Sequence, residues 1–178
     1  VPEARCAGCP PNYKPPQHTY APTNQPVVGG YVARHPSLGS YVGRYLFGRY
    51  GGAELYVMDA GGGPVQGTGL NIPSLSSFGE DGVGQLYVTS LAGAVSRLSA
   101  TPNTLSATSV GTFSQPSAVA APYGDPDRLF IAELGGRIVK ADVERAAAAG
   151  AGAGGGSGGA PVGVSPMVSS HATPGTPP

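Results

Sequence analysis

One short pattern returns three times along this chain and limits what it can fold into. Leu46-Phe47-Gly48-Arg49-Tyr50-Gly51-Gly52-Ala53-Glu54-Leu55, Leu86-Tyr87-Val88-Thr89-Ser90-Leu91-Ala92-Gly93-Ala94-Val95 and Leu129-Phe130-Ile131-Ala132-Glu133-Leu134-Gly135-Gly136-Arg137-Ile138 share one form. Each is an apolar and aromatic run, a turn containing glycine, and a second run with polar alternation. That is the pattern of a β-hairpin, in which β-branched and aromatic side chains cover a pleated surface and glycine supplies the reversal. The first copy reaches its glycine one residue sooner than the other two. Leu46, Leu86 and Leu129 recur at intervals of 40 and 43 residues.

The second and third copies also share what precedes the hairpin. Ser74-Leu75-Ser76-Ser77-Phe78 leads into Gly79-Glu80-Asp81-Gly82-Val83-Gly84, and Ser117-Ala118-Val119-Ala120-Ala121 leads into Pro122-Tyr123-Gly124-Asp125-Pro126-Asp127. A strand of small residues suits a crowded centre, and the Asp, Gly and Pro that follow reverse the chain. Three strands per unit are legible. Gly29-Gly30-Tyr31-Val32-Ala33 and Ser106-Ala107-Thr108-Ser109-Val110 are candidates for a fourth, outer strand of the first and second units. A period of ~40 to 45 residues with several strands per unit is the signature of propeller blades. The expectation is an all-β chain, a partial β-propeller of about three blades over residues 27–145. Its hairpins turn near Gly52, Gly93 and Gly136, with no helix between Leu46 and Val139.

The flanks differ from this region. With 30 Gly and 19 Pro in 178 residues, low-complexity sequence is expected somewhere. Residues 1–26 form an irregular, Pro-rich lead-in, because Pro10-Pro11 and Pro15-Pro16 remove backbone donors and favour extended loops. Residues 146–178, rich in Gly, Ala and Pro, hold too few large apolar side chains to offset the entropy of ordering, which predicts a disordered tail. The alanines at 146–149 can extend Asp142-Val143-Glu144-Arg145 into one helical turn before the glycines end it. Cys6 and Cys9 are the only cysteines, spaced C-x-x-C, and Pro10 stands where a haem attachment motif needs His. A local disulfide, idle thiols, a redox pair and a metal site shared with His18 all remain open.

Ten basic and ten acidic residues leave no net charge, so no long-range field draws in nucleic acid or an anionic membrane. No stretch has the roughly 20 apolar residues of a membrane span, and the first residues show no signal-peptide run. The chain starts without Met, and its natural start is expected to lie upstream.

Gly29-Gly30-Tyr31-Val32-Ala33-Arg34 with Gly43-Arg44-Tyr45-Leu46-Phe47-Gly48, then Ser77-Phe78-Gly79-Glu80-Asp81 with Gly84-Gln85-Leu86-Tyr87-Val88, resemble the closing-blade region of the glucose/sorbosone dehydrogenase family. Phe113-Ser114-Gln115-Pro116 with Gly124-Asp125-Pro126-Asp127-Arg128-Leu129-Phe130-Ile131 and Gly135-Gly136-Arg137-Ile138 resemble its opening blade. The resemblance spans residues 26–142. It implies a six-bladed quinoprotein propeller that oxidises an aldose with pyrroloquinoline quinone and calcium, in the periplasm or outside the cell. In the family the opening blade comes first; here it follows the closing blade, as in a tandem array, a rearrangement or a damaged reading frame. The family's His base and its quinone-holding Arg, Lys and Asn sit on middle blades that have no counterpart here, so none is carried over. The chain is therefore expected to be a fragment, inactive alone and binding neither cofactor tightly. A non-catalytic propeller module that binds a carbohydrate or a protein is the alternative.

The residues themselves offer little for chemistry. His18 and His35 lie in Pro-flanked loops and His171 in the tail, none beside an orienting carboxylate. Arg34, Arg44 and Arg49 are the candidates for meeting an anionic cofactor, against the plainer reading that their stems pack across a sheet face. Glu80 and Asp81 are the candidates for a calcium site, against the reading that Asp81-Gly82-Val83-Gly84 is a tight strand connection. Gly51-Gly52 and Gly61-Gly62-Gly63-Pro64 lack the Lys-Ser/Thr and following helix of a phosphate loop. An open set of three blades leaves two apolar faces uncovered, so missing blades or self-association are the expected partners.

Overall fold

A computed structural model of the chain describes residues 14, 16–19 and 26–143. Those residues form an all-β structure of eleven strands in three separate antiparallel sheets. The first sheet is a meander of β1 (Val27–Val32), β2 (Arg44–Arg49), β3 (Glu54–Asp59) and β4 (Gln66–Asn71). The second is a meander of β5 (Leu75–Glu80), β6 (Leu86–Ser90), β7 (Ala94–Thr101) and β8 (Thr104–Thr112). The third has β9 (Pro116–Ala120), β10 (Arg128–Glu133) and β11 (Ile138–Asp142). A short 3-10 segment, Pro36–Tyr41, sits between β1 and β2.

The three hairpins fall where the repeat placed them. The amides of Gly52, Gly93 and Gly136 donate to the carbonyls of Arg49, Ser90 and Glu133, closing the same turn three times. Gly93 and Gly136 have φ of 112° and 81°, a left-handed backbone that a side chain resists. No helix occurs between Leu46 and Val139.

Two expectations change. Gly29–Ala33 is not an outer strand: β1 pairs only with β2 and lies beside β5, as β5 lies beside β9, so it is the first strand of its sheet. The outer strand of the first sheet is β4, whose Gln66-Gly67-Thr68-Gly69-Leu70-Asn71 has little apolar content to announce it. Ser106–Val110 does fall in the outer strand β8. The leucines of the repeat are also not all equivalent. The turn bonds align Gly52 with Gly93 and Gly136, which sets Tyr45, not Leu46, against Leu86 and Leu129. Side chains alternate with a period of two, so the one-residue deficit in the first copy puts Leu46 on the opposite face from the other two. Asp142, read as the start of a helical turn, ends β11. The tail at 146–178, Cys6, Cys9 and His171 lie outside the described residues.

The sheets stack face to face around two cores. Leu46, Leu55 and Val57 of the first sheet meet Phe78, Leu86, Val88 and Leu98 of the second, with Leu38 and Tyr41 of the 3-10 segment joining them. Tyr87 and Val95, on the other face of the second sheet, meet Val119, Leu129, Ile131 and Ala141 of the third. Strands β5 and β9 approach closely at a glycine. A Cβ on Gly79 would lie 2.2 Å from the Val119 carbonyl oxygen, so β5 and β9 touch only because that position is glycine.

Candidate functional site

The connections at one end of the first two sheets bring four of the singled-out residues together. Arg34, just after β1, reaches across the sheet boundary and donates from Nη1 to both oxygens of Glu80, at 3.0 and 2.9 Å. Its side chain is 63% exposed and that of Glu80 19%, so the pair is a solvent-facing clasp worth little to stability. Asp81, beside Glu80, is buried. Its Oδ1 accepts the amides of Val83 and Gln85, at 3.0 and 2.9 Å, and its Oδ2 accepts the Tyr87 hydroxyl at 3.3 Å. Each carboxylate is thus engaged by N–H or O–H donors, Glu80 from the first sheet and Asp81 from its own connection and β6.

His35 follows Arg34 and caps the 3-10 segment, its Nδ1 accepting the Ser37 amide at 3.2 Å and meeting the Ser37 hydroxyl at 2.8 Å. That hydroxyl donates to Gln85 Oε1 at 2.7 Å, and Gln85 Nε2 donates to the carbonyls of Leu98, at 2.6 Å, and Leu86, at 3.2 Å. Gln85 is buried between the sheets, and its amide ties the 3-10 segment to two strands of the second. Ser37 and Gln85 had no signal in the sequence, because their role depends on two segments 48 positions apart meeting.

The other two arginines lie elsewhere. Arg44 starts β2 and Arg49 ends it, so their Cα atoms are roughly 16 Å apart along the strand. Arg44 donates to Asp59 at 3.2 Å and to Gln66 at 3.1 Å. Arg49 donates to the Tyr56 hydroxyl at 2.6 Å, and its guanidinium carbon lies 5.0 Å from the centre of the Tyr56 ring. The rings of Tyr45 and Phe47 stack at 5.6 Å and those of Phe47 and Tyr56 at 5.9 Å, making an aromatic row, with Phe47 buried, on the face of the first sheet turned away from the second. Gln17 and His18 of the lead-in border this row. They enclose a cleft of about 180 Å³ together with Val27, Tyr45, Phe47 and Met58.

A quinone with several carboxylates needs cations that converge, and a calcium ion wants six or more oxygens. Arg34, Arg44 and Arg49 stand on three separate parts of the first sheet, each with its own partner. The lone pairs of Glu80 and Asp81 face N–H and O–H donors, and among the described residues no three His, Cys, Asp or Glu are grouped to hold a metal. The residues present do not fit either group, and no reaction step is derived through them. No described helix is long and apolar enough to cross a membrane. No family model, no curated protein and no solved structure matches the chain.

Proposed function

We propose that the three sheets are three successive blades of a β-propeller of the glucose/sorbosone dehydrogenase kind, and that this stretch is ring framework rather than reacting machinery. The observation that supports it is the stacking order: three meanders in sequence, each with its first strand beside the next sheet's first strand. That is how propeller blades follow one another around an axis. The family's activity, oxidation of an aldose by pyrroloquinoline quinone with calcium, then belongs to a complete ring, exported from the cytoplasm, that takes a carbohydrate substrate.

Such oxidation needs a base positioned at the sugar hydroxyl and a cofactor held in contact with it, and losing that positioning forfeits many orders of magnitude in rate. Here His35 is spent on its cap and the arginines diverge. The purified chain, given the quinone, calcium and a panel of aldoses, should reduce a dye no faster than a protein-free control. Saturable turnover that disappears in His35→Ala or His18→Ala would overturn the framework reading. Sugar binding without turnover would favour a non-catalytic carbohydrate module instead.

A further inference from the structure

One hydrogen is contested where the 3-10 segment meets the second sheet. Gln85 is buried, and its Nε2 commits both hydrogens, to the carbonyls of Leu98 at 2.6 Å and Leu86 at 3.2 Å. Carbonyls only accept, so the amide cannot be turned end for end, and its Oε1 faces the Ser37 hydroxyl at 2.7 Å. The same hydroxyl lies 2.8 Å from His35 Nδ1, and the Ser37 amide donates to that nitrogen at 3.2 Å. A backbone amide is aimed by the turn it belongs to. In the neutral ring Nδ1 is therefore bare, and the ring hydrogen sits on Nε2. The Ser37 hydroxyl then has a single hydrogen for two acceptors, Nδ1 and Gln85 Oε1. Whichever it serves, the other contact sets two lone pairs face to face.

We propose that His35 is a proton-operated latch that fastens the 3-10 segment to the second sheet. A proton on Nδ1 turns that nitrogen from acceptor to donor. It then donates to Ser37 Oγ, the hydroxyl hydrogen goes to Gln85 alone, and a one-way chain of donors runs through Gln85 to the carbonyls of Leu86 and Leu98. The Ser37 amide gives up its acceptor, and because Ser37 is only partly buried, water takes that place. Proton uptake thus exchanges a cap within the segment for a bond to the neighbouring sheet. Histidine is the side chain suited to make this exchange near neutral pH. The latch does not depend on what chemistry a complete ring performs.

The groups around the ring are already engaged. Arg34, next in the chain, is held by Glu80, and Asp81 beside Glu80 accepts from the amides of Val83 and Gln85 and the Tyr87 hydroxyl. Tyr41, in the segment itself, donates to the Asn103 carbonyl. Strand β7, against which the segment packs, turns Leu98 and Ala100 toward it, while Arg97 shares the opposite face with Val95.

Hydrogen exchange followed by NMR on the full chain, as pH is lowered through the titration of His35, reads the two bonds separately. Relative to its intrinsic rate at each pH, the Ser37 amide should exchange faster by on the order of tenfold, and the side-chain amide of Gln85 should exchange more slowly. Opposite signs are what a general loosening of the fold does not produce. His35→Asn keeps a capping acceptor that does not titrate, and should lose both responses. Ser37→Ala keeps the backbone amide, and should lose the Gln85 response alone. Responses of the same sign, no response, or a response that survives His35→Asn would each overturn the latch. So would a hydrogen already on Nδ1 in the neutral ring, read from long-range proton–nitrogen correlations of the imidazole.

Discussion

The two internal interfaces come from the same repeat and yet hold different amounts of core. Thirteen buried residues form the cluster between the first and second sheets, and seven form the one between the second and third. The surplus comes from parts that the repeat does not contain. Leu38 and Tyr41 come from the 3-10 segment, and Ile72 and Leu105 come from next to or within the outer strands β4 and β8. Tyr41 also donates to the Asn103 carbonyl at the β7–β8 turn, fastening that segment to the second sheet. The third sheet has neither a fourth strand nor such a segment among its described residues. Strength in this stack is therefore set by what is inserted between the repeats, and the third sheet should be the first to detach.

The same truncation on each side probes this most strongly. Leu86 and Leu129 occupy equivalent positions, and both are fully buried, so replacing either with Ala should cost about 2–5 kcal/mol in lost transfer energy and cavity. Leu86→Ala should lower the midpoint of urea unfolding for the whole described region. Leu129→Ala should instead split the transition, with the third sheet melting early. One shared transition for both variants would break the comparison.

Glycine offers a sharper contrast at a smaller cost. Gly79→Ala drives a methyl into the Val119 carbonyl, which is backbone and cannot rotate away. The overpacking should cost about 1–3 kcal/mol and speed amide exchange in β9–β11 ahead of β5–β8. Gly48→Ala meets the end of the Leu75 side chain, also at 2.2 Å. That side chain can change rotamer, so the loss should be smaller and fall on the stronger interface. Equal exchange in all three sheets of the Gly79 variant would show that the interfaces do not differ.

These contrasts also show what sequence could and could not disclose. Local chemistry was legible: the three hairpins follow from apolar runs around Gly52, Gly93 and Gly136, and the small-residue strands β5 and β9 from Ser74–Phe78 and Ser117–Ala121. Strand β4 was not, because Gln66–Asn71 forms on the exposed edge of its sheet, where packing demands little of the side chains. The place of β1 is not legible in its residues, since whether a strand is innermost or outermost depends on its neighbours in other sheets. The facing of Leu46 turned on one missing residue before a glycine. Arg34 and Glu80 were each singled out, but only the stacking of two sheets makes them a pair. Ser37 and Gln85 went unseen for the same reason.

That hidden link makes the next prediction. Ser37→Ala removes the donor to Gln85 Oε1, and Gln85 is 5% exposed, so water cannot readily replace it. Leaving that acceptor unsatisfied should cost about 1–3 kcal/mol. Arg34→Ala, which removes a solvent-facing ion pair between the same two sheets, should change stability by less than about 1 kcal/mol. The ranking reverses if the exposed clasp, and not the buried amide, fastens the first sheet to the second.

The smallest effect belongs to the weaker interface. Asp125 lies in the β9–β10 connection, which packs close to Gly82 of the β5–β6 connection. Partial burial raises its carboxyl, but the Asp127 amide and the Arg128 guanidinium more than offset this and hold it below its ordinary value of 3.8. A depressed carboxyl contributes stability above that ordinary value and loses it as pH falls through the folded-state value. Asp125→Asn keeps the shape of the side chain and removes the charge, so its amides in β9–β11 should exchange slightly faster than those of the parent at neutral pH. The gap should narrow with added salt, since Arg128 is half exposed. It should close in acid, where the parent carboxyl is itself protonated. A gap that persists unchanged at low pH would assign the effect to the lost acceptor geometry, and would leave the buried cores as the sole difference between the two interfaces.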